Sequence, residues 1–169
     1  MNSTAKTEQF LSVVQANRGI IYKVANSYCI DVEDRKDLVQ EIIVQLWRSF
    51  DNYKDEYKYS TWIYRIALNT AISFYRKENR RRHVSTQLSD TVIDFVDTTG
   101  AGEIEENIGF LQQFINELKE LDKALMLLYL EEKSQKEIGE IMGISASNVA
   151  TKVGRIKNIL KQKFSTIKI

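Results

Sequence analysis

The chain has 169 residues, of which 43% are hydrophobic and 28% charged, and its formal net charge is +1. It contains no proline, one cysteine and one histidine, and no apolar run is long enough to cross a membrane. A lone cysteine excludes an internal disulfide, and the first ten residues lack the pattern of a secretory signal. These features predict a cytoplasmic all-α protein of one or two small domains, with no direct membrane insertion.

Charge is sorted along the chain. Residues 76–82 hold five basic residues and one acidic residue, and residues 133–163 hold seven basic and two acidic residues. Between them, residues 84–120 hold eight acidic residues and one lysine. Clustered cations suit phosphate binding, and the acidic segment between them would be repelled from the same DNA, although a merely solvated linker is equally compatible.

Two helices are predicted at the start of the chain. Apolar residues recur at helical spacing over residues 8–28, which predicts a single helix there. A second helix begins near Val32, with Asp34 as its expected N-cap, and its apolar stripe continues to Phe50. Together with a third helix, these two would form the core of an amino-terminal domain.

A tyrosine-bearing polar loop over residues 51–60 precedes the third predicted helix, which starts at Ser60 or Thr61 and ends near Arg82. One face of this helix carries an aromatic residue, an amide and cations, namely Trp62, Arg65, Asn69, Ser73, Arg76 and Arg80. With Tyr53, Tyr57 and Tyr59 in the loop, this face has the composition of a platform for unstacked bases and a phosphate backbone. The alternative is that Trp62 belongs to the core and the tyrosines cover the domain edge.

Helical spacing fails after the third helix, where small and acidic residues gather. The sequence TTGAG marks the most flexible point, and the predicted organisation is domain 1–83, flexible acidic linker 84–109 and domain 110–169. Two further helices over residues 110–121 and 122–130 would pack under the last segment of the chain.

That last segment has the pattern of a helix-turn-helix. Ser134 is a good N-cap with Glu137 as its capping-box partner, and Gly143 is placed to end this helix. Gly139 leaves room for a close crossing, and Ser145 caps a second helix. The predicted buried stripe of the second helix is Val149, Val153, Ile156 and Leu160.

The opposite face of this second helix is polar and basic. Its outward residues near the helix start are Ser147, Asn148, Thr151, Lys152 and Arg155. A recognition helix touches base edges in a major groove with residues of this kind at this end. An ordinary helical hairpin with a solvated charged face is the alternative, and Gly154 is expected to allow close approach of a neighbouring helix.

Three segments resemble one family, the extracytoplasmic-function (ECF) sigma factors of bacterial RNA polymerase. The sequence DLVQE at 37–41, followed by Trp47, is similar to the family's polymerase-clamp contact, and TWIYRIALN at 61–69 is similar to its promoter-melting helix. Residues 137–149 are similar to its second DNA-binding module. The chain departs from the family pattern at Ser73, where aspartate is frequent, at Gly139, usually alanine, and at Lys152, commonly arginine.

The resemblance implies a role for each set of residues. The implied polymerase contacts are Asp37, Leu38, Gln40, Glu41 and Trp47. The implied contacts to single-stranded minus-ten DNA are Tyr57, Tyr59, Thr61, Trp62, Arg65, Asn69, Arg76, Lys77, Arg80, Arg81 and Arg82, the last five on phosphates. The implied contacts to the minus-thirty-five element are Ser145, Ser147, Asn148, Thr151, Lys152 and Arg155.

The resemblance therefore implies an initiation factor that partners core RNA polymerase and promoter DNA, is a monomer when free, and is restrained by an anti-sigma factor. No enzyme, metal or cofactor is expected, because the only histidine, His83, follows three arginines and no catalytic or ligand motif is present. Two alternatives stay open: a two-domain helix-turn-helix regulator acting without polymerase, and a protein-interaction adaptor.

Overall fold

A computed structural model of the chain describes residues 2–85 and 103–167 and divides it into two compact units, Met1–Arg81 and Arg82–Ile169. The elements are α1 (Ser3–Ala16), α2 (Arg18–Tyr28), α3 (Val32–Ser49), a short 3₁₀-helix (Phe50–Asn52), α4 (Tyr59–Ser85), α5 (Glu103–Asn116), α6 (Glu120–Leu130), α7 (Gln135–Met142) and α8 (Ala146–Ile167). The predicted all-α class is confirmed, and over both ranges no helix has the length and hydrophobicity to span a membrane.

The single helix predicted over residues 8–28 is wrong, because Asn17 divides it into α1 and α2. The Asn17 backbone leaves the helical region (φ −120°, ψ 15°), and its N–H bonds to the Val14 carbonyl. Its side-chain amide donates to the Val13 carbonyl at 2.9 Å. These local bonds satisfy the polar groups at the break, so the chain can turn and bring both helices onto α3 and α4.

The amino-terminal core is built from the apolar faces of α2, α3 and α4. Ile21, Leu38, Ile42, Leu46 and Ile63 are all at most 1% exposed. The N-cap of α3 is Asp31, whose carboxylate accepts the Glu33 N–H at 3.3 Å, so the prediction of Asp34 was wrong. Asp34 lies in the first helical turn, where its negative charge interacts favourably with the positive end of the helix dipole.

The helices on either side of the predicted linker have other bounds than expected. Helix α4 extends to Ser85, and α5 begins at Glu103 and not at residue 110. Three glutamates in the first turn of α5 suit the positive end of a helix dipole, and this explains helix formation in a segment predicted as linker. The TTGAG sequence and the rest of 86–102 lie outside the described residues.

The helix-turn-helix forms as predicted. The Ser134 hydroxyl accepts the Glu137 N–H at 3.1 Å, and Gly143 ends α7 in the left-handed region at φ 74°. The Ser145 hydroxyl accepts the Asn148 N–H at 3.1 Å at the start of α8. The predicted stripe is buried without exception, as Val149, Val153, Ile156 and Leu160.

The two glycines within the helices of the helix-turn-helix, Gly139 and Gly154, differ in what surrounds them. A Cβ built at Gly139 would lie 2.6 Å from the Ile144 carbonyl oxygen, so the turn between α7 and α8 has closed onto this glycine. A Cβ at Gly154 would meet nothing within 4 Å. The expectation that Gly154 allows close helix approach is therefore wrong.

We expect Gly139→Ala and Gly154→Ala to shift stability in opposite directions. Gly139→Ala forces a backbone carbonyl to move and should lower the free energy of unfolding by about 1–3 kcal/mol. Gly154→Ala adds a methyl group in open space and should raise it by up to about 1 kcal/mol through helix propensity. Denaturant unfolding of both variants tests this pair, and equal effects of the same sign would contradict it.

Candidate nucleic-acid interface

Three aromatic rings form one cluster where the loop meets α4. Tyr53 stacks on Tyr59 with ring centroids 4.2 Å apart. The Trp62 ring is steeply inclined to both, at interplanar angles of 61° and 66°, with its centroid 5.4 Å from that of Tyr53 and 6.4 Å from that of Tyr59. Phe50 lies behind Trp62 at 6.1 Å and is 9% exposed. The cluster therefore has a buried side that fixes it and a half-exposed side that faces solvent.

A cavity of about 320 Å³ opens beside this cluster. Its lining combines ring faces with polar groups, and comprises Asn52, Tyr53, Lys54, Tyr57, Trp62, Arg65, Ile66 and Asn69. The Arg65 guanidinium carbon lies 5.9 Å from the centroid of the Tyr57 ring. Flat apolar walls, an amide and a cation are the groups that hold an extruded base by stacking and edge hydrogen bonds.

Trp62 is thus neither free on the surface nor part of the closed core. It is half-buried, with Phe50 behind it and the cavity in front. Thr61 behaves differently: it is only 6% exposed, so the structure removes it from the predicted DNA contacts. The reason is geometric, because Thr61 precedes Trp62 by one residue and a helix turns by about 100° per residue.

The second half of α4 carries the predicted phosphate contacts. Arg76, Lys77, Arg80 and Arg81 are all exposed. Arg81 also contacts the Glu78 carboxylate at 3.7 Å. Arg82 lies in α4, but its side chain is outside the described part of the structure. Cations on this exposed helical segment can follow a phosphate backbone.

A larger groove, of about 780 Å³, separates α3 from α4. Asp34, Asp37 and Glu41 supply acidic groups from α3, while Lys77 and Arg81 supply cations from α4. The remaining lining residues are Gln45, Asn69, Thr70, Ser73, Phe74 and Glu78. Asn69 lines this groove as well as the cavity beside the aromatic cluster, so the two sites adjoin.

The predicted polymerase contacts divide into accessible and inaccessible residues. Asp37, Gln40 and Glu41 are exposed on α3, and Trp47 is 38% exposed. Leu38 is 0% exposed and packs in the core, so it cannot contact a partner. Three accessible polar residues and one aromatic residue of this set are therefore available for binding.

The start of α8 presents short polar side chains to solvent. Ser147, Asn148 and Thr151 are exposed, and Lys152 is half-buried. The Ser145 hydroxyl is occupied by the helix cap and also lies 3.3 Å from the Ser147 hydroxyl. The Thr151 hydroxyl donates to the Ser147 carbonyl at 3.1 Å and keeps its acceptor capacity.

Asp122 is a residue that sequence reasoning missed. Its carboxylate lies 3.5 Å from the Arg155 guanidinium, and Asp122 is much less exposed than Arg155. The pair joins α6 to α8 across 33 positions, so no local spacing could reveal it. Tyr53 belongs to the predicted stacking platform, although it is not among the residues implied to contact minus-ten DNA.

The described residues contain no group of three or more His, Cys, Asp or Glu side chains placed to hold a metal ion.

We expect Tyr53 to ionise above its ordinary pKa of 10. Burial of the ring, the neighbouring Tyr59 and the Asp55 carboxylate all raise the pKa of Tyr53, and its hydroxyl donates to the Tyr57 carbonyl. The free energy of unfolding should fall as pH rises above 10, because the unfolded chain then loses this proton while the folded chain keeps it. Phenolate absorbance of wild type minus Tyr53→Phe reports this titration, and a midpoint at or below the ordinary value would contradict it.

Two family models match the chain. Residues 13–81 match Sigma-70 region 2, and residues 111–160 match Sigma-70, region 4. The first range contains the aromatic cluster, the cavity and the groove, and the second contains the helix-turn-helix.

Named relatives agree with these matches. The chain is similar to the ECF RNA polymerase sigma factor SigW of Bacillus subtilis, with 27% identity over 92% of this chain and 89% of SigW. It is 33% identical to RNA polymerase sigma factor SigZ of the same organism, over 75% of this chain and 70% of SigZ. A solved structure of the sigma factor RpoE in complex with the anti-sigma factor NepR from Bartonella quintana shares the fold, with a TM-score of 0.63 and 20% identity. The similarity covers 94% of this chain and 96% of RpoE. The chain belongs to the ECF sigma factors of RNA polymerase.

Proposed function

We propose that this sigma factor opens promoter DNA by capturing a base of the minus-ten element in the cavity beside Tyr57 and Trp62. The observation that carries the proposal is the half-exposed aromatic cluster next to a cavity of about 320 Å³, within the segment that matches Sigma-70 region 2. Stacking contributes about 1–3 kcal/mol per base, which is comparable with the cost of unstacking it from the duplex. The free energy gained by stacking the captured base can therefore offset the cost of unstacking it from the duplex.

Phosphates of the same strand would follow the exposed cations of α4. Arg76, Lys77 and Arg80 lie beyond Asn69 on this helix, so a strand whose base occupies the cavity can extend along them. These contacts carry no sequence information, but they hold the strand after the base has left the duplex. Binding should weaken steeply as salt concentration rises.

The minus-thirty-five element would be read by the start of α8. Ser147, Asn148 and Thr151 are exposed and short, which suits contacts to base edges in the major groove. Arg155 would reach a phosphate or a guanine from its position beside Asp122. Ser145 contributes by capping the helix, so its role here is to fix the helix start.

Core RNA polymerase would bind the accessible face of α3. Asp37, Gln40 and Glu41 form its polar part and Trp47 its apolar part. Two weak DNA sites on one chain, held on polymerase, gain effective concentration without being tight alone. We infer a cytoplasmic, monomeric protein that acts by binding and carries out no catalysis.

An anti-sigma factor is the expected restraint. The solved structure of RpoE with NepR shows such a partner on a protein that shares this fold. For this chain we propose that an anti-sigma factor covers the α3 surface or the recognition helix. A reconstituted complex that leaves polymerase binding and DNA binding unchanged would contradict this.

In vitro transcription from a genomic library, using core polymerase with and without the chain, tests the function. Initiation at a shared two-part promoter only when the chain is present would support it. Specific duplex binding without core, and no initiation with core, would instead indicate a regulator that acts without polymerase.

We expect Tyr57→Ala to weaken promoter opening about 5- to 100-fold, because it removes one stacking surface of the cavity. Tyr22 is 52% exposed on α2, away from the cavity lining, so Tyr22→Ala is the matched control and should leave opening unchanged. Permanganate reactivity of the opened strand in the holoenzyme–promoter complex measures both variants. Equal effects of the two substitutions would contradict capture at this cavity.

We expect Asp122→Asn to raise non-specific duplex affinity and lower discrimination at the minus-thirty-five element, because it frees the Arg155 guanidinium from its partner. The slope of log affinity against log salt should steepen by up to about 1, as expected for one added phosphate contact.

Glu117→Gln provides the matched control. Glu117 pairs with Lys163 at 2.6 Å, toward the far end of α8, so this substitution frees a cation away from the recognition residues. Affinities of the holoenzyme for matched and mismatched minus-thirty-five duplexes separate the two variants. Loss of discrimination in Glu117→Gln, or unchanged discrimination in Asp122→Asn, would overturn the assignment of Asp122.

A further inference from the structure

Helix α1 contacts the residues on both sides of the loop 53–58, which carries Tyr53 and Tyr57. At the first end, the Lys6 ammonium lies 2.7 Å from the Asp51 carboxylate in the 3₁₀-helix. At the second end, the Gln9 side-chain amide donates to the Tyr59 hydroxyl at 3.3 Å. Residues 53–58 lie between these two ties. The loop is therefore anchored from outside at both of its ends.

Phe10 holds α1 in the position that allows Lys6 and Gln9 to make these two contacts. Its ring is 5% exposed and meets Trp47 at 5.0 Å and Phe50 at 5.3 Å, both edge to face. Lys6 adds a cation–π contact, with its nitrogen 4.5 Å from the Trp47 ring centroid. A buried aromatic anchor holds the helix, and so the two polar ties next to it are held in register.

Lys6, Gln9 and Phe10 precede residue 13, where the match to Sigma-70 region 2 begins. The aromatic cluster and its cavity lie within that match, whereas the helix turn that supports them lies before it. This support is thus a feature of the present chain that the family match does not cover.

We propose that the first half of α1 is a brace, in which Lys6 and Gln9 are positioning residues that hold the loop and Tyr59 in the geometry needed to capture an unstacked base. This inference rests on the proposed function of the cavity. Lys6 and Gln9 act through Asp51 and Tyr59, and they need not touch the DNA.

The physical reason is pre-organisation. Ordering the backbone of a flexible six-residue loop only on binding would cost more free energy than stacking on one base supplies. Ties at both ends restrict the loop before the base arrives, and binding then loses less conformational freedom. The brace should therefore affect strand capture and leave the duplex site unaffected.

A double-mutant cycle on Gln9 and Tyr59 tests the brace. The probe is a fluorescent single-stranded oligonucleotide carrying the minus-ten element of the promoter recovered by transcription, bound by holoenzyme. Tyr59→Phe removes the hydroxyl acceptor and keeps the ring that stacks on Tyr53. We expect Gln9→Ala and Tyr59→Phe each to weaken oligonucleotide binding about three- to tenfold, and the double variant to lose no more than either single variant.

Gln15→Ala is the matched control, because Gln15 is exposed on the same helix and is the same residue type. It should bind the oligonucleotide like wild type. Affinity for core polymerase and for the minus-thirty-five duplex should be the same in wild type and all of these variants. Lys6→Met and Asp51→Asn form a second cycle on the first tie, with the same expected non-additive loss.

Three results would overturn the brace. Additive losses from Gln9→Ala and Tyr59→Phe would show that the two residues act separately, for example through their own DNA contacts. Wild-type oligonucleotide binding by both variants would show that the tie has no effect on capture. Equal losses in core or duplex binding would show general destabilisation. Failure of the wild-type holoenzyme to bind the oligonucleotide at all would instead count against the proposed function.

Discussion

A surface that stacks on a single base has to stay open to solvent and still be rigid, and these two demands oppose each other in a small helical domain. In the proposed base-binding surface, Phe50 supports the exposed rings from their buried side. It is 9% exposed and meets Phe10 of α1 on one side and Trp62 of α4 on the other, at 5.3 and 6.1 Å. The cluster is thereby packed from behind, and its front remains a half-exposed wall of the cavity.

The same packing brings the two proposed binding surfaces of this unit together. Trp47, in the proposed polymerase contact, touches the same Phe10 ring that supports Phe50. On α4, Asn69 lines both the cavity beside the aromatic cluster and the groove that Asp37 and Glu41 also line. A partner on α3 and a strand on α4 would therefore contact neighbouring parts of one rigid helical framework.

Several of the cations on α8 contact partners within the protein. Arg155 pairs with Asp122, Lys163 pairs with Glu117, and Lys157 lies 4.3 Å from the Tyr129 ring centroid. The two carboxylate pairs lower the attraction of the helix for any phosphate backbone, since Asp122 and Glu117 each offset part of a cation's charge. In the proposed minus-thirty-five site, contacts by Ser147, Asn148 and Thr151 would then contribute a larger share of binding, and attachment to polymerase would add affinity.

Local sequence determined what depends on local physics. The caps at Ser134 and Ser145, the left-handed Gly143 and the buried stripe of α8 each follow from interactions within a few residues, and all were predictable. Tertiary structure decided the rest. That Asp122 meets Arg155 and Gln9 meets Tyr59 depends on the packing of helices that are distant in the chain. Residue type and periodicity do not predict such contacts, because the contacts form only when the helices pack together.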